Sequence, residues 1–587
     1  MPPDFVQDPP ELDNQYDRDR VLRSYVQRQL PESIRKTIEP ELKDLGEKAG
    51  GELYDLQQSD LDSEPTLTRW GPWGDRVDEI EVTDVWDRAE TLAAERGIVA
   101  TAYEQEHGAH SRVHQMLLAY LFIPSTDMYG CPLAMTDGAA RTLLESGNES
   151  LADEAVPHLT SRDPDTFWTS GQWMTELAGG SDVGRAHTTA RQDDDSWRLY
   201  GRKWFTSAIT ANMALALARP EGTPDDGKDL ALFYVPIRDD SGLHDGIHVN
   251  RLKDKLGTRK LPTAEIELDG AAARPVGALQ NGTHHISPML NVTRAWNSVT
   301  AVALIRRGMA LARDYAQKRQ AFGDDIINHP LHQETLADVQ ATLEGSFHLA
   351  MRLAELMGRR ETGTADAQED ALFRLLTPLA KLTTAKQAVS ATSELLEAFG
   401  GAGYVEDTGL PALHRDAQVL PIWEGTTNVL ALDLLRALRK AGTIAPLNAE
   451  VKRCVDVIEA PTLTTAVRPA VRAYRDAVKW LKGALQEGED ALEAGARRFA
   501  LTLGKSLEVL YTARHAQWSL HAEQDGRSAA ATERLAARRL NHIGDLDPHG
   551  AYVLVWDFNC PTLFDCHAQG DGEAGTKPSL DTMTDVL

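Results

Sequence analysis

The chain has 587 residues, too many for one hydrophobic core, so about two to four domains are expected. Its formal charge of −27 excludes wholesale attraction to nucleic acid or anionic lipid, and 42% hydrophobic with 25% charged residues is typical of a folded protein. No apolar run approaches the roughly 20 residues of a membrane span, and the acidic start has no signal core. We therefore expect a cytoplasmic protein without membrane segments.

The cysteines and the acidic surplus say little about function. Four cysteines are too few for a disulfide framework. Cys560 and Cys566 lie near His567 but lack a second pair of ligands, which favours free cysteines over a metal site. Asp and Glu outnumber Lys and Arg by 88 to 61. Adaptation to concentrated salt and an ordinary acidic surface explain this surplus about equally well.

The first two segments differ in periodicity. Residues 1–167 carry apolar residues at three- and four-residue spacing, as in VLRSYVQRQLPESIRKTIEPELKDLGEKAG, which predicts a helical domain. Residues 168–282 contain short β-rich runs, including SWRLYGRKWFTS, MALALARP, LALFYVPI and AEIELDG, separated by turn clusters. Strands at this spacing without helices between them predict an antiparallel sandwich or barrel.

The rest of the chain is helical again. Residues 283–445 include VTAVALIRRGMALARDYAQKRQ, which predicts a helix with an apolar stripe and with its arginines and lysine on the other face. A second helix of this segment ends at Gly400-Gly401. Residues 446–550 predict a further helical domain, and residues 551–587 hold one apolar segment and a tail of disordered composition. The fold class is therefore α+β, ordered helical, β, helical, helical.

Five short motifs stand out, and each alone is weak. The loop GQWMTELAGGSDVG offers glycines for close backbone approach, and GRKWFTS offers an aromatic wall on a strand. KRQAFGDDIINHP places an arginine near a helix end, where it suits a phosphate. In EAFGGAGYVEDTGL the glycines follow a helix, so they are not a dinucleotide fingerprint.

The fifth motif, VLPIWEGTTNVL, sets Glu424 beside Ile422 and Trp423, just before a Gly-Thr-Thr turn. An exposed acid near a helix start is one interpretation. A general base is the other, because apolar surroundings raise the pKa of a carboxylate toward the range that a base needs. The motif alone does not decide between them.

Taken in order, these five motifs resemble the acyl-CoA dehydrogenase superfamily of flavoproteins, over roughly residues 131–439. The GCPLAMT and RLKDKLGTRK segments, Trp423 and the extra helical domain are most similar to the AidB-like flavoproteins of the adaptive response to alkylation. The resemblance implies an N-terminal helical domain, a middle antiparallel β domain, a helical bundle and a C-terminal helical extension. It also implies FAD, an acyl-CoA substrate in fatty acid metabolism, an electron-transfer flavoprotein as partner and a homotetramer built as a dimer of dimers.

The resemblance further implies residue roles. Glu424 matches the catalytic base and Arg294 matches a substrate-side arginine. Positions that match contacts to FAD are Trp173, Met174, Thr175, Gly180, Ser181, Trp204, Phe205, Thr206, Arg319, Phe322, His329, Phe399, Gly400, Gly401, Thr426 and Asn428. In this family the contacts to the adenosine half come largely from a neighbouring subunit. Trp423 is bulkier than the Tyr common at that position, which puts ordinary straight-chain substrates in doubt.

Two other functions fit the same resemblance. One is a DNA-associated protein of the AidB type with slow dehydrogenation, since residues 451–550 hold 15 Lys and Arg against 13 Asp and Glu. Arg534, Arg538 and Arg539 would form a small basic patch there, although a solvated helical face is the favoured interpretation. The other is an acyl-CoA oxidase, which lets oxygen reach the reduced flavin.

Overall fold

The computed structural model describes residues 7–194, 196–223, 230–239, 242–544 and 548–557. The chain divides into two compact units: the first runs to Asp366 and includes Thr384–Thr426, and the second combines Ala367–Thr383 with the chain from Thr427 onward. Cys560, Cys566, His567 and most of the predicted tail lie outside the described residues. The domain boundaries predicted at residues 167, 282, 445 and 550 stay predictions.

The N-terminal part of the first unit is helical, with one exception. Its helices are α1 (Arg20–Gln29), α2 (Glu32–Gly50), α3 (Glu52–Ser59), α4 (Asp84–Glu95), α5 (Ala100–Glu104), α6 (Ser111–Phe122), α7 (Gly130–Glu145) and α8 (Glu149–Leu159). The exception is an antiparallel hairpin of β1 (Thr66–Trp70) and β2 (Arg76–Glu81), which the helical prediction missed. The GPWGD turn between two β-rich runs is the signal that marks it.

The middle of the first unit is a barrel. Its strands are β3 (Ser170–Trp173), β4 (Thr189–Asp193), β5 (Ser196–Ser207), β6 (Met213–Pro220), β7 (Ala231–Pro236), β10 (Ile247–Leu252) and β11 (Thr263–Pro275). Between β7 and β10, β8 (Arg238–Asp239) and β9 (Gly242–Leu243) form a separate short hairpin. Pairings β11–β5, β5–β4, β4–β6, β6–β7 and β7–β11 close a ring, with β10 and β3 at its margins. The antiparallel prediction is wrong for two pairings, since β6 runs parallel to both β3 and β4.

The strands bury their apolar side chains inside this ring. Every residue of β6 is buried, so MALALARP lies in the sheet without an exposed face. The core also contains Trp173, Leu199, Phe233 and Ile266, each fully buried or nearly so. The middle domain therefore has its own hydrophobic core, which fixes the loops at its ends.

After the barrel, the first unit returns to helices, which form the second half of its helical core. These are α9 (Gly282–His285), α10 (Ser287–Lys318), α11 (Pro330–Glu361), the later part of α12 (Ala367–Ala398) and α13 (Leu410–Ala417). A short hairpin of β12 (Gln320–Ala321) and β13 (Asp324–Asp325) separates α10 from α11.

The predicted polar face of α10 is wrong at two arginines. Arg306 is buried, and its Nε lies 3.1 Å from Asp19 Oδ2 while another guanidinium nitrogen donates to the carbonyl of Gln15 at 2.6 Å. Arg307 is also buried and donates to the carbonyl of Pro124 at 3.1 Å. Segments from the N-terminal part of the chain cover this face of α10, so the two cations bond to internal acceptors instead of water.

The second unit is a helical bundle. Besides the first half of α12, it contains α14 (Thr427–Ala441), α15 (Ala445–Val455), α16 (Pro461–Ala466), α17 (Arg468–Glu487), α18 (Glu489–Ala522), α19 (Arg527–Ala537) and α20 (Pro548–Trp556). The long helix α18 is the centre of the bundle, and α14, α15, α17 and α19 pack against it. Across the described residues, no helix is long and apolar enough to cross a membrane.

Candidate active site

Glu424 lies in the turn between α13 and α14, in a strained backbone conformation. Its φ is +55°, in the left-handed region, and that of Gly425 is +99°. A non-glycine residue held there costs on the order of 1–3 kcal/mol, and such strain persists where surrounding contacts enforce it. The side chain is half-buried, and its Oε2 accepts a hydrogen bond of 2.6 Å from the hydroxyl of Thr293. The exposed-acid interpretation of the motif is therefore wrong.

Helix α10 supplies the partners of this turn. Thr293 and Asn297 are one turn apart on α10 and are buried. Between them, Arg294 donates from Nε to the backbone carbonyl of Glu424 at 3.2 Å. The indole N–H of Trp423 donates to Asn297 Oδ1. The structure thus brings the predicted base and the predicted substrate-side arginine together, and it adds Thr293 and Asn297, which no sequence motif had marked.

Helix α10 is itself fixed by a buried ion cluster. Asp137 on α7 is fully buried and accepts from the indole of Trp296 at 2.7 Å and from Gln115 at 3.0 Å. It also pairs with Arg112 at 2.6 Å. The buried Asp137 carboxylate is thus matched by donors from Trp296, Gln115 and Arg112. Its bond to Trp296 holds α10 in register against α7.

The surroundings of Glu424 are less apolar than its flank predicted. Ile422 is 61% exposed, so it does not shield the acid, and only Trp423 is partly buried there. Trp423, which follows Ile422, turns into the structure because the chain bends sharply after Val419. The backbone amides of Ile422 and Trp423 both donate to the Val419 carbonyl. Cys131, at the start of α7, adds a partly buried thiol close by. Burial raises its pKa to about 12, and Lys255 and Glu424 act on it electrostatically.

The glycine-containing loop and the aromatic strand are joined by their backbones. The amide of Trp204 donates to the carbonyl of Thr175 at 2.9 Å. Met174, Thr175 and Trp204 are partly buried, whereas Gly180 and Ser181 are exposed at the far side of the loop. Gly179 is required by the packing of the loop, since a Cβ there would lie 2.2 Å from the carbonyl oxygen of Asp182.

A buried ion pair lies directly behind these residues. Lys203 precedes Trp204 and Glu176 follows Thr175, and the Lys203 Nζ donates to Glu176 Oε1 at 2.7 Å. The carboxylate also accepts from the amide of His187 at 2.6 Å and from the hydroxyl of Thr188 at 2.5 Å. The sequence motifs contained Glu176 and Lys203, but nothing in their spacing showed that the two would meet.

The aromatic residues of the two motifs differ in access. Trp173 is fully buried in the barrel core, because it lies on the inward face of β3, so it presents no surface to a ligand. Phe205 is 48% exposed. Lys253 lies over both rings of the strand, with its Nζ 3.5 Å from the centroid of Trp204 and 4.3 Å from that of Phe205. Thr206 is buried and donates to the carbonyl of Ala264 at 2.8 Å, which leaves its lone pairs as acceptors.

Three further candidates meet at the β12–β13 hairpin. Phe322 is at its tip, with a φ of +54° and a fully exposed ring. The His329 ring lies 6.2 Å from that of Phe322, and its Nε2 is 2.9 Å from the carbonyl of Ala321. The carbonyl of Arg319 accepts from Ile326 at 2.8 Å, which closes the base of the hairpin. An apolar ring held fully in water indicates a surface that something else covers.

The remaining candidates are distributed over both units. Phe399 is buried edge-on against Tyr315, with ring centroids 5.3 Å apart. Gly400, with a φ of +60°, and Gly401 follow it, and both have open space where a Cβ would be, so their backbone is accessible. Thr426 ends the first unit, half-buried. Asn428, in the second unit, is exposed and accepts from Arg497 at 3.1 Å.

Comparison with known proteins decides the family. Three family models match the chain: the adaptive response protein AidB N-terminal domain over residues 7–166, the acyl-CoA dehydrogenase middle domain over residues 171–271, and the acyl-CoA dehydrogenase C-terminal domain over residues 280–439. The chain belongs to the acyl-CoA dehydrogenase family. The predicted family, the predicted fold class and the similarity to AidB-like members are confirmed.

Two relatives show where in the acyl-CoA dehydrogenase family the chain lies. It is 42% identical to acyl-CoA dehydrogenase family member 11 of Caenorhabditis elegans, over 89% of this chain and 87% of that protein. It is 32% identical to the putative acyl-CoA dehydrogenase AidB of Escherichia coli, over 70% and 76%. The crystal structure of Caenorhabditis elegans ACDH-11 in complex with C11-CoA superimposes with a TM-score of 0.89 at 38% identity, covering 95% of this chain and 97% of that one. The similarity therefore extends into the second unit.

Proposed function

We propose that this acyl-CoA dehydrogenase introduces an α,β double bond into an acyl-CoA thioester, with FAD as cofactor and an electron-transfer flavoprotein as electron acceptor. The observation that carries the proposal is the position of Glu424: a half-buried carboxylate in a strained turn, with its oxygen bonded to Thr293 and its backbone bonded to Arg294. A solvated structural acid needs neither the strain nor the buried partner.

The residues on this chain fit FAD. Gly400 and Gly401 offer an accessible backbone to a pyrophosphate, Arg319 lies at the base of the adjoining hairpin, and the exposed rings of Phe205 and Phe322 offer apolar faces. The solved acyl-CoA dehydrogenase of Bacillus anthracis is complexed with FAD. We assign cofactor contacts to the predicted set, with the exception of Trp173, whose burial leaves it a core residue. When bound, FAD supplies the hydride acceptor that no side chain can replace.

The protein's own part of the reaction is proton removal. Glu424 takes the α-proton of the thioester onto a carboxylate oxygen; FAD, when bound, would accept the β-hydrogen with its electron pair. The hydroxyl of Thr293 holds the carboxylate in one orientation at 2.6 Å, so little ordering remains to be done when substrate binds. Arg294 fixes the turn from the backbone side, and Trp423, tied to Asn297, closes the site beside the acid.

The proposed assembly is the homotetramer that the family resemblance implies, and the exposed ring of Phe322 supports a subunit contact at its hairpin. A fully exposed ring beside Arg319 and His329 is explained if a neighbouring subunit's cofactor covers it. Cytoplasmic residence, a role in fatty acid metabolism and adaptation to salt remain predictions from composition and resemblance.

Anaerobic titration with acyl-CoA thioesters tests the proposal. C11-CoA, the ligand of the Caenorhabditis elegans structure, is the first probe, followed by shorter and branched chains. We expect the yellow protein to bleach, and Glu424→Gln to keep its colour without bleaching. Glu406→Gln is the control, since Glu406 is exposed and pairs with Arg415 away from the turn. A Glu424→Gln variant that bleaches at the wild-type rate contradicts the assignment, and peroxide formed under turnover in air favours the oxidase.

A further inference from the structure

The second unit contains a cleft lined by four arginines. Arg468 and Arg472 come from the first turns of α17, and Arg538 and Arg539 follow the end of α19. The cleft has a volume of about 410 Å³, within the range of small-molecule sites. The sequence had grouped Arg538 and Arg539 with Arg534 instead, because the partners from α17 are about 70 residues away in the chain. Arg534 is not among the residues that line the cleft.

Three of these four cations have no ion pair in the described part of the chain. Within the described part of the chain, no ion pair involves Arg468, Arg472 or Arg539. The acidic side chain that lines the cleft is Asp476, which accepts from the amide of Asn541 at 2.9 Å. Arg468, Arg472 and Arg539 are therefore available to an anionic ligand, in a chain whose net charge is −27.

The position of Arg468 and Arg472 adds two electrostatic costs. They are four residues apart on one helix, where like charges repel by about 0.2–0.5 kcal/mol. They also occupy the first turns of a 20-residue helix, whose N-terminal end carries partial positive charge and favours anions. A bound anion reverses both costs, because it attracts each guanidinium and the helix end together.

The positive charge of the cleft arginines also affects two neighbouring side chains, His542 and Lys505. Burial, with Lys505 and Arg539, lowers the pKa of His542 to about 4. Burial also lowers the pKa of Lys505, with Arg538 and Arg539 acting in the same direction and Glu508 opposing them. His542 follows Asn541 of the cleft, and Lys505 on α18 interacts electrostatically with Arg538 and Arg539. Both groups are driven toward their neutral forms.

We propose that this cleft binds a small molecule bearing a diphosphate. Guanidinium groups suit phosphate oxygens because their planar donors form paired hydrogen bonds, and the three arginines without an ion pair offer more donors than a single carboxylate can accept. The free diphosphate and a nucleoside diphosphate share this chemistry. Duplex DNA is the less favoured occupant, since residues 451–550 hold only 15 Lys and Arg against 13 Asp and Glu, and duplex binding needs an extended positive surface.

The test uses the full-length, FAD-loaded protein, so that the cofactor site is filled. Inorganic pyrophosphate and ADP are titrated calorimetrically at low ionic strength into three proteins: wild type, Arg472→Gln/Arg539→Gln, and the control Arg475→Gln/Lys479→Gln. The control removes the same charge from exposed positions of α17 outside the cleft. We expect wild type and control to bind equally, and the cleft variant to bind at least ~tenfold more weakly.

Each outcome of these titrations either supports or overturns the proposal. Cleft-dependent binding of pyrophosphate supports the proposal with the free diphosphate as ligand, and cleft-dependent binding of ADP alone supports it with the nucleoside form. Equal affinity in the cleft variant, or equal losses in both variants, overturns it. Retention of a DNA duplex that the cleft variant loses, without binding of either small molecule, also overturns it. If the Gln variant loses helix content by circular dichroism, Arg472→Lys/Arg539→Lys replaces it, and we expect a several-fold weakening because lysine keeps the charge but not the paired donors.

Discussion

Lys203 Nζ lies 2.7 Å from Glu176 Oε1, and both side chains are buried behind the loop and strand that flank the proposed flavin site. Burial alone raises the pKa of Glu176, but Lys203, the Thr188 hydroxyl and the His187 amide outweigh it and lower the pKa below its usual value. The pair connects Thr175 to Trp204 from behind. The two motifs therefore act as one structural unit.

Replacing Lys203 by Met tests the importance of this pair. The change leaves the Glu176 carboxylate buried without its cation, and we expect a loss of about 3–5 kcal/mol in the free energy of unfolding, measured with urea. FAD should also dissociate more readily, because Trp204 loses its fixed neighbour. Arg202→Met is the matched control: Arg202 is on the same strand but exposed, and its pair with Glu267 spans 3.2 Å. A loss of under 1 kcal/mol in Lys203→Met contradicts the prediction.

Replacing Thr293 by Val removes the hydroxyl that holds Glu424. We expect kcat to fall about 10- to 100-fold, since one oriented hydrogen bond in an enclosed site contributes about 1.5–3 kcal/mol when its partner is charged. Bound FAD and the unfolding midpoint should change little. Thr300→Val, two turns along α10, removes a buried hydroxyl that bonds only to the Trp296 carbonyl, at 2.9 Å. Equal kcat values for the two variants would contradict a specific role for Thr293.

The sequence predicted the barrel strands and the turn of Glu424 because these depend on local order. The β-rich runs from SWRLYGRKWFTS to AEIELDG became strands, since alternation and turn residues act within a few positions. It did not predict that Arg306 would be buried or that Thr293 would meet Glu424. Both depend on helices that meet across more than 100 residues, where no periodicity records the contact.

Long-range packing also explains why the sequence failed to predict the β1–β2 hairpin and the parallel pairings of β6. The β1–β2 hairpin carries strand and turn signals, but helical stretches on both sides dominate the composition of the N-terminal part. The parallel pairings of β6 follow from where β3 and β4 enter the barrel, which is a matter of topology. Local sequence patterns predict that a strand forms, but long-range packing determines which strands it pairs with.

Asp416 gives a pH-dependent prediction. Burial raises its pKa from 3.8 to about 6, although the amide of Thr258 donates to it at 2.6 Å. Between these two pH values the native state holds a proton that the unfolded state releases, so this stabilising contribution is complete below about pH 4 and is lost as pH rises to 6.

We therefore expect Asp416→Asn to increase the free energy of unfolding by up to about 3 kcal/mol at pH 7.5 and to change it little at pH 4, because the amide cannot ionise. Urea unfolding at the two pH values measures this. Asp407→Asn, at an exposed position seven residues beyond Gly400, is the control and should be neutral at both. The same gain at pH 4 and pH 7.5 would show that charge is not the cause.

Phe322 has a fully exposed ring at the tip of the β12–β13 hairpin. Burying a phenylalanine side chain stabilises an interface by about 1.5–3 kcal/mol, so its exposure in the single chain is explained if another subunit covers it. We expect Phe322→Ser to leave the unfolding of the single chain nearly unchanged. It should weaken assembly and FAD retention together, as measured by light scattering and flavin absorbance. Trp73→Ser is the control, because Trp73 is 95% exposed in the turn of the other hairpin and is not in the proposed cofactor set. If Phe322→Ser remains as assembled and as yellow as Trp73→Ser, the hairpin is not a subunit contact, and the shared cofactor site must be abandoned.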